Sequence, residues 1–216
     1  MKTIFLIRHA ETRDNRAHVH QHALTPLSPK GILQAKSLAR YFSREPLELI
    51  VSSDTLRCQT TAEAIAEGRD AALPLEYTPL FREYRRASRV VGRSHFSPVS
   101  LYGTVQVLVH ARNPDWRFRD AENAHEFQLR CRGGWKYLAE RCEKNIAVVT
   151  HRLYLAGMLA TLSQRCRATT LRFTLLLLEA QCFHNAGVTR VLFDEESGDG
   201  EVEYRDDISH LTSLHR

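Results

Sequence analysis

Two apolar segments, each followed by a histidine, constrain the fold of this chain most strongly. Thr3–Ile7 has strong strand preference and no polar alternation, which is typical of a strand buried on both faces of a parallel sheet. This segment ends at Arg8 and His9, and a second one of the same character, Ile146–Thr150, runs directly into His151. Because ligands of open α/β sheets bind beyond the carboxyl ends of the strands, we expect these side chains to share one pocket.

The chain between these segments predicts helices that alternate with strands, which is the order of a right-handed parallel arrangement. Capping signals and apolar spacing give the boundaries. The predicted elements are a helix begun by Ser28 and Pro29 and lasting to Phe42, a strand over Leu47–Val51, and a helix begun by Ser52–Asp54 that ends near Gly68, with Asp54 as its N-cap.

The remaining segments are assigned by the same signals. Thr12–Pro26 is polar, so we expect a loop over the pocket, and residues 69–121 give no clear element. The other predicted elements are a helix over Glu122–Arg141, a helix through Leu153–Ala160, a strand over Val188–Phe193, and a short last strand after a turn over Glu195–Gly200. Residues 169–182 allow a helix or a strand, and we favour a helix.

Length and composition narrow the class of protein. A chain of 216 residues with 43% hydrophobic content fits one α/β domain over residues 1–216. The net charge of +5 suits an anionic ligand. No segment resembles a signal peptide or is long enough to span a membrane, and five cysteines without metal-ligand spacing favour reduced thiols in the cytoplasm. We expect no membrane partner, and a homodimer is left open.

Two polar segments allow more than one interpretation. His18, His20 and His22 could hold a metal on one face of an extended segment, but no carboxylate pattern accompanies them, and we favour a solvated loop. The arginine-rich segment Phe81–Arg89 surrounds Glu83, and it is either a self-paired loop or a basic rim around a working carboxylate. Arg57, in the first turn of a predicted helix, would make a phosphate-binding corner.

Four motifs, in this order along the chain, resemble the histidine phosphatase superfamily, which includes the phosphoglycerate mutases. Each motif alone is weak, but four in the same order over nearly the whole chain are a specific signal. They are Arg8–Thr12 with Asn15, the helix start Leu27–Ala35, the element Ser52–Thr61, and the strand Val148–His151.

The resemblance implies a three-layer α/β/α fold with a mostly parallel central sheet. It also implies a phosphatase without a metal or other cofactor, acting on small phosphate esters. His9 would be the nucleophile that becomes phosphorylated, and Glu83 the proton donor. The groups implied around the phosphoryl group are Arg8, Asn15, Arg57 and His151.

Two residues depart from the family pattern. Ala10 replaces a common glycine, which still allows close backbone approach. Arg152 follows His151 where the family usually has glycine, so we expect it to narrow the pocket or to contact the substrate. The alternative functions are a mutase-type phosphotransferase and a non-catalytic protein that binds phosphate or nucleic acid. Nucleic acid is disfavoured as a partner because few aromatic residues accompany the arginines.

Overall fold

A computed structural model of the chain describes residues 1–69, 72–162 and 180–214. Within these ranges, six strands form one sheet in the order β3-β2-β4-β1-β5-β6. The strands are β1 (Lys2–Arg8), β2 (Leu49–Ser53), β3 (Leu75–Thr78), β4 (Asn145–Thr150), β5 (Val188–Phe193) and β6 (Gly200–Asp207).

The central part of the sheet is parallel. β1 pairs with β4, β4 with β2, and β2 with β3 in parallel, while β5 and β6 add an antiparallel edge. The predicted mostly parallel sheet is therefore confirmed. Arg8 pairs with Thr150 in the register of β1 and β4, so the residues that follow these strands leave the sheet at the same level.

Helices cover both faces of the sheet. They are α1 (Arg13–Arg16), α2 (Pro29–Phe42), α3 (Leu56–Glu67), α4 (Pro98–Val109), α5 (Ala124–Ala139) and α6 (Arg152–Ala160). Ile4 and Leu6 point to the core under α5 and α6, whereas Phe5 and Ile7 point to the core under α2 and α3. Burying each such side chain stabilises the fold by about 1.5–3 kcal/mol. The three-layer α/β/α prediction is confirmed.

The sequence misplaced the start of α3. Ser52 and Ser53 remain in β2, the helix begins at Leu56, and Asp54 does not cap it. Instead, the Asp54 carboxylate accepts two hydrogen bonds of 2.6 Å from Arg82. The prediction was wrong because β2 pairs with strands on both sides as far as Ser52 or Ser53, and these backbone hydrogen bonds outweigh the local capping signal.

Several other predicted element boundaries also differ from those in the structure. The expected loop over Thr12–Pro26 contains α1, whose Thr12 and Asn15 form a capping box. The helix predicted over Glu122–Arg141 is α5, which starts later because Asn123 and Glu126 form its capping box. In the predicted helix over 169–182, residues 180–182 form a 3₁₀ turn and the rest lies outside the described residues.

Other predicted elements are confirmed, among them α6, β5 and β6. α3 ends as predicted, with Gly68 at its C-cap. The segment from residue 94 to 120, which the sequence did not assign, contains α4. No helix in the described ranges has the length and apolar character needed to cross a membrane.

Candidate active site

His9 and His151 lie side by side at the carboxyl edge of the sheet. Their ring centroids are 5.2 Å apart, and the backbone N–H of His9 donates to the carbonyl oxygen of Thr150 at 2.9 Å. The exposed fraction of each residue is small, 3% for His9 and 1% for His151. The two histidines that the strand ends predict to be neighbours are thus in contact with each other.

Two buried arginines flank this histidine pair. Nη1 of Arg8 donates to the carbonyl oxygen of Phe183 at 2.7 Å, and Nη1 of Arg57 donates to that of His22 at 2.9 Å. The Nε–H group of each arginine is buried and has no hydrogen-bond partner among the described residues. Buried donors of this kind usually have a partner, so an anionic ligand between the two guanidinium groups would supply the missing acceptors.

The surroundings of His9 select one tautomer. Its Nδ1 lies 2.8 Å from the carbonyl oxygen of Ala10, which can only accept, so Nδ1 carries the proton and Nε2 keeps its lone pair. Burial, together with the charges of Arg57 and Arg8, holds the pKa of His9 well below 6.5. His9 is therefore a neutral imidazole at neutral pH.

The hydrogen bonds of His151 select the opposite tautomer. Nη2 of Arg57 lies 3.2 Å from Nδ1 of His151, and because a guanidinium can only donate, Nδ1 is the acceptor. Nε2 then carries the proton and donates to the Ser53 hydroxyl at 3.0 Å. Burial and the charge of Arg57 hold the pKa of His151 well below 6.5 as well. The ring thus links Arg57 to the end of β2.

The N-terminus of α2 fixes the loop that follows His9. The Ser28 N–H and hydroxyl both donate to Glu11, and the Glu11 N–H donates to the side-chain oxygen of Gln34 at 2.8 Å. A Cβ atom on Gly31 would lie 2.0 Å from the Glu11 carbonyl oxygen, so only glycine allows this close approach. The helix-start motif therefore positions the loop beside His9.

α3 supports the same loop from the other side. The Thr61 hydroxyl accepts from the Ala10 N–H at 3.2 Å and donates to the carbonyl oxygen of Arg57 at 2.7 Å. Cys58, also in α3, lies 3.5 Å from Nε2 of His151. Burial raises the pKa of the Cys58 thiol to about 11, so it stays a neutral packing group and not a nucleophile.

Glu83 reaches the cavity from the arginine-rich segment. Its carboxyl oxygens accept from the N–H groups of Tyr84, Leu153 and Tyr154, the last two in the first turn of α6, at 3.0–3.2 Å. Glu83 is therefore fixed beside His151, which directly precedes α6.

An ion pair between the partly buried Arg130 and the buried Glu122, which sequence reasoning missed, holds the segment carrying Glu83. Arg130 makes two bonds of 2.7–2.8 Å to Glu122 and donates to the carbonyl oxygens of Leu80, Arg82 and Glu83. Glu122 also accepts from the Arg85 N–H. Removing one partner of such a pair would leave a buried charge unpaired. The two residues are eight positions apart near the start of α5, and no local motif indicates their role.

Asn15 lies at the cavity but is engaged in structural hydrogen bonds. Its side-chain oxygen accepts from the Thr12 N–H and from the side chain of Asn185 at 3.2 Å. Asn185 also donates to the carbonyl oxygen of His9 at 3.0 Å. Asn185 lines the cavity too, and no local sequence signal marks it, because it stands in an irregular segment before β5.

His20 and His22 follow Val19 in a segment that approaches residues 92–95, whereas His18 lies in the turn before it with a φ of 52°. Val19 forms an isolated antiparallel bridge with Ser94, and the His20 and His95 rings are 4.2 Å apart. No group of three or more His, Cys, Asp or Glu side chains in the described part of the chain is arranged to hold a metal. Burial lowers the pKa of His20 to about 3 and that of His95 to about 4, so both are neutral at neutral pH.

All seven residues that the sequence assigned to the site line one cavity of about 730 Å³. Arg152 stands at its wall as the first residue of α6. Further arginines of the rim have acidic partners: Arg82 pairs with Asp54, and Arg85 lies 3.9 Å from Glu126. The arginine-rich segment is therefore partly self-paired and partly a basic wall around Glu83.

The sequence matches a known protein family and, over shorter stretches, individual phosphatases. The sequence model of the histidine phosphatase superfamily (branch 1) matches residues 4–203. Over 68 residues, 31% of this chain, the sequence is 41% identical to an adenosylcobalamin/alpha-ribazole phosphatase of Salmonella typhimurium, and over 71 residues, 32% of the chain, 44% identical to phosphoserine phosphatase 1 of Hydrogenobacter thermophilus. Each match spans 34% of the relative, about a third of its length.

The fold has solved counterparts over the whole chain. A phosphoserine phosphatase from Entamoeba histolytica, solved in complex with phosphoserine, superposes with a TM-score of 0.78 at 19% identity. The superposition covers 98% of this chain and 100% of that one. At this level of identity the similarity establishes the fold.

Proposed function

Because the chain belongs to the histidine phosphatase superfamily (branch 1), we propose that it hydrolyses small phosphomonoesters through a phosphorylated His9. One observation carries this proposal. The hydrogen bond from Nδ1 of His9 to the Ala10 carbonyl oxygen leaves Nε2 as a neutral nucleophile between Arg8 and Arg57. The buried Nε–H groups of Arg8 and Arg57, which have no partner among the described residues, support this placement of the phosphoryl oxygens.

In the first step, Nε2 of His9 attacks phosphorus and the bond from phosphorus to the ester oxygen breaks. The leaving oxygen takes a proton from Glu83, which becomes a carboxylate. Arg8 and Arg57 stabilise the negative charge on the three remaining phosphoryl oxygens, and His151, whose Nε2 carries the proton, donates to one of them. In the second step, water attacks the phosphohistidine, Glu83 takes the proton of the water, and orthophosphate leaves as the His9 lone pair is restored.

Arg8 and Arg57 also support the proposal that no metal is required. Burial, with the charge of Arg152, lowers the pKa of Arg8 to about 10, which still leaves the guanidinium charged at neutral pH. Two fixed cations can supply the charge stabilisation for which other phosphoryl-transfer sites use Mg²⁺.

Free thiols at Cys58, Cys131, Cys142 and Cys182 support the prediction of a reducing, cytoplasmic setting.

The test is release of orthophosphate from a panel that includes p-nitrophenyl phosphate, sugar phosphates, phosphoamino acids and phosphoglycerates. Hydrolysis in the presence of a chelator, with inhibition by vanadate, is the expected result. A rapid quench without acid, followed by mass spectrometry, should find added phosphate on His9. No turnover of any phosphate ester would overturn the proposal. Transfer between phosphoglycerate isomers without release of phosphate would favour the mutase.

A further inference from the structure

Exposed apolar side chains concentrate on and just before α4. Of the large hydrophobic residues that are exposed in the described ranges, nearly half lie within residues 96–109. Each of them is 50–70% exposed, and they are Phe96, Leu101, Tyr102, Val105, Leu108 and Val109. Exposed hydrophobic residues that occur singly are ordinary, whereas a group of this size marks a surface that binds something.

Five of these side chains lie on one face of α4, within about 120° of the helix circumference. We call them the α4 face, and they are Leu101, Tyr102, Val105, Leu108 and Val109. The opposite side of the helix is fixed against the rest of the protein, with Ser100 and Gly103 buried. A Cβ atom on Gly103 would lie 3.0 Å from the Phe118 ring, so the packing there is close. The α4 face therefore points to solvent.

The exposed area is sufficient for a stable interface. At roughly 150–250 Å² for a fully exposed side chain of this size, the exposed fractions within residues 96–109 amount to about 700 Å². This is more than the roughly 300–600 Å² of the largest apolar patch on a typical monomer. It approaches the area of about 800 Å² that each partner contributes to a specific protein–protein interface.

The composition of α4 indicates the kind of partner. No residue from Pro98 to Val109 is charged. A helix that lies on an anionic membrane carries Lys or Arg on its polar side, and the polar residues of α4 are only Ser, Thr and Gln. Two copies of an uncharged helix can pair without repulsion between like charges, although the chain has a net charge of +5. A second copy of this chain therefore fits better than a membrane.

The spacing of the α4 face also suits a second copy. Two residues of the face stand four positions from Val105, one on each side, and two stand three positions from it. In a two-fold symmetric interface, residue i of one subunit contacts j of the other and j contacts i. Two antiparallel α4 helices would thus place each Val105 on its own counterpart. Antiparallel pairing also sets the positive end of each helix dipole beside the negative end of the other.

We propose that the α4 face binds the α4 face of a second copy in antiparallel orientation, so that the protein is a two-fold symmetric dimer in solution. The two subunits meet at Val105. His95 lines the active-site cavity and α4 begins at Pro98, so the dimer contact stabilises the segment that leads from the cavity into the helix. This proposal does not depend on the phosphatase function.

Sedimentation equilibrium of the full chain tests the proposal. Over concentrations from about 1 to 100 μM, the wild-type protein should have twice the mass of one chain, with a Kd in the micromolar range or tighter. Val105→Glu and Val105→Lys should each raise the Kd at least about a hundredfold, because two like charges then face each other at the symmetry axis. An equimolar mixture of these two variants should again form dimers, since the charges are then opposite.

Two further variants serve as controls. Leu129→Glu is the matched control, because Leu129 of α5 is 54% exposed and Val105 is 52% exposed. It should leave the Kd within about twofold of the wild-type value. Leu108→Gln tests the α4 face without adding a charge, and it should raise the Kd at least about tenfold. Cooperative thermal unfolding verifies that each variant is folded, and Leu108→Gln provides the test if a charged variant is not.

Several outcomes would overturn the proposal. A wild-type protein that stays monomeric throughout the concentration range would do so, and if this monomer binds vesicles that contain phosphatidylserine, the α4 face belongs to a membrane. Mass that continues to rise beyond the dimer would exclude a closed two-fold interface. Dimers that survive in Val105→Glu and Leu108→Gln, or are lost equally in Leu129→Glu, would place the interface elsewhere. A mixture of folded Val105→Glu and Val105→Lys that stays monomeric would exclude the antiparallel arrangement.

Discussion

The inner end of the cavity is built from strand ends and the outer end from loops, and the two ends differ in how tightly their side chains are fixed. Arg8, His9 and His151 follow or end paired strands and are almost fully buried. Arg86 and His95 come from irregular segments and remain partly exposed. A rigid inner end suits chemistry that is common to many phosphate esters, whereas an adaptable outer wall suits selection among them.

The largest expected effect is at the inner end. His9→Ala should lower the rate of phosphate release by at least about 10⁴-fold, because no other group in the described cavity is placed as the nucleophile. The matched substitution is His22→Ala at the cavity wall, whose backbone carbonyl, the part that contacts Arg57, is retained. This variant should lose less than about tenfold. Comparable losses in the two variants would break the distinction between the ends.

The next effect concerns Glu83, which lies where the two ends meet. Glu83→Gln should slow hydrolysis of alkyl phosphates by about a hundredfold, because their leaving oxygen needs a proton. An aryl phosphate such as p-nitrophenyl phosphate should lose much less, since its leaving oxygen is stable as an anion.

Arg130→Gln provides the contrast to this substitution. Arg130 contacts the segment that carries Glu83, so its loss should displace the carboxylate and impair alkyl and aryl substrates more evenly. If Glu83→Gln itself slows both substrates equally, Glu83 only holds the segment in place. The proton donor would then lie elsewhere in the cavity.

The smallest effect is on stability in acid, where the two ends should behave alike. Burial holds the pKa of His151 well below 6.5 and lowers that of His20 to about 3. Below pH 6.5 the unfolded chain therefore binds protons at these histidines that the folded chain does not bind. The free energy of unfolding consequently decreases as the pH falls from 6.5 towards 3, and above pH 6.5 these histidines do not lower it.

Chemical denaturation at pH 7.5 and 5.5 measures this decrease. His20→Gln and His151→Gln should each reduce it by about 1 kcal/mol. The exposed His125 serves as control, and His125→Gln should keep a decrease close to that of the wild type. A decrease that is unchanged in both buried-site variants would contradict the pKa directions given for these histidines.

The sequence by itself determined the central layer and the inner end of the site. The strands that deliver Arg8, His9 and His151 are marked by continuous apolar runs, and such runs are buried whatever surrounds them. The same holds for Ser28 and Pro29, whose helix-start signal is local. Side chains that follow two neighbouring parallel strands must meet, because the strands share one edge.

Only the tertiary structure decided the boundaries set by pairing and the partners of the charged residues. Asp54 was predicted to cap a helix, but strand pairing extends β2 and leaves Asp54 free to bind Arg82. Glu122 and Arg130 hold Glu83, and Asn185 contacts His9, through contacts between segments that are distant along the chain. Whether an arginine pairs with a carboxylate or faces a cavity depends on which segments meet in three dimensions, and the local sequence does not contain that information.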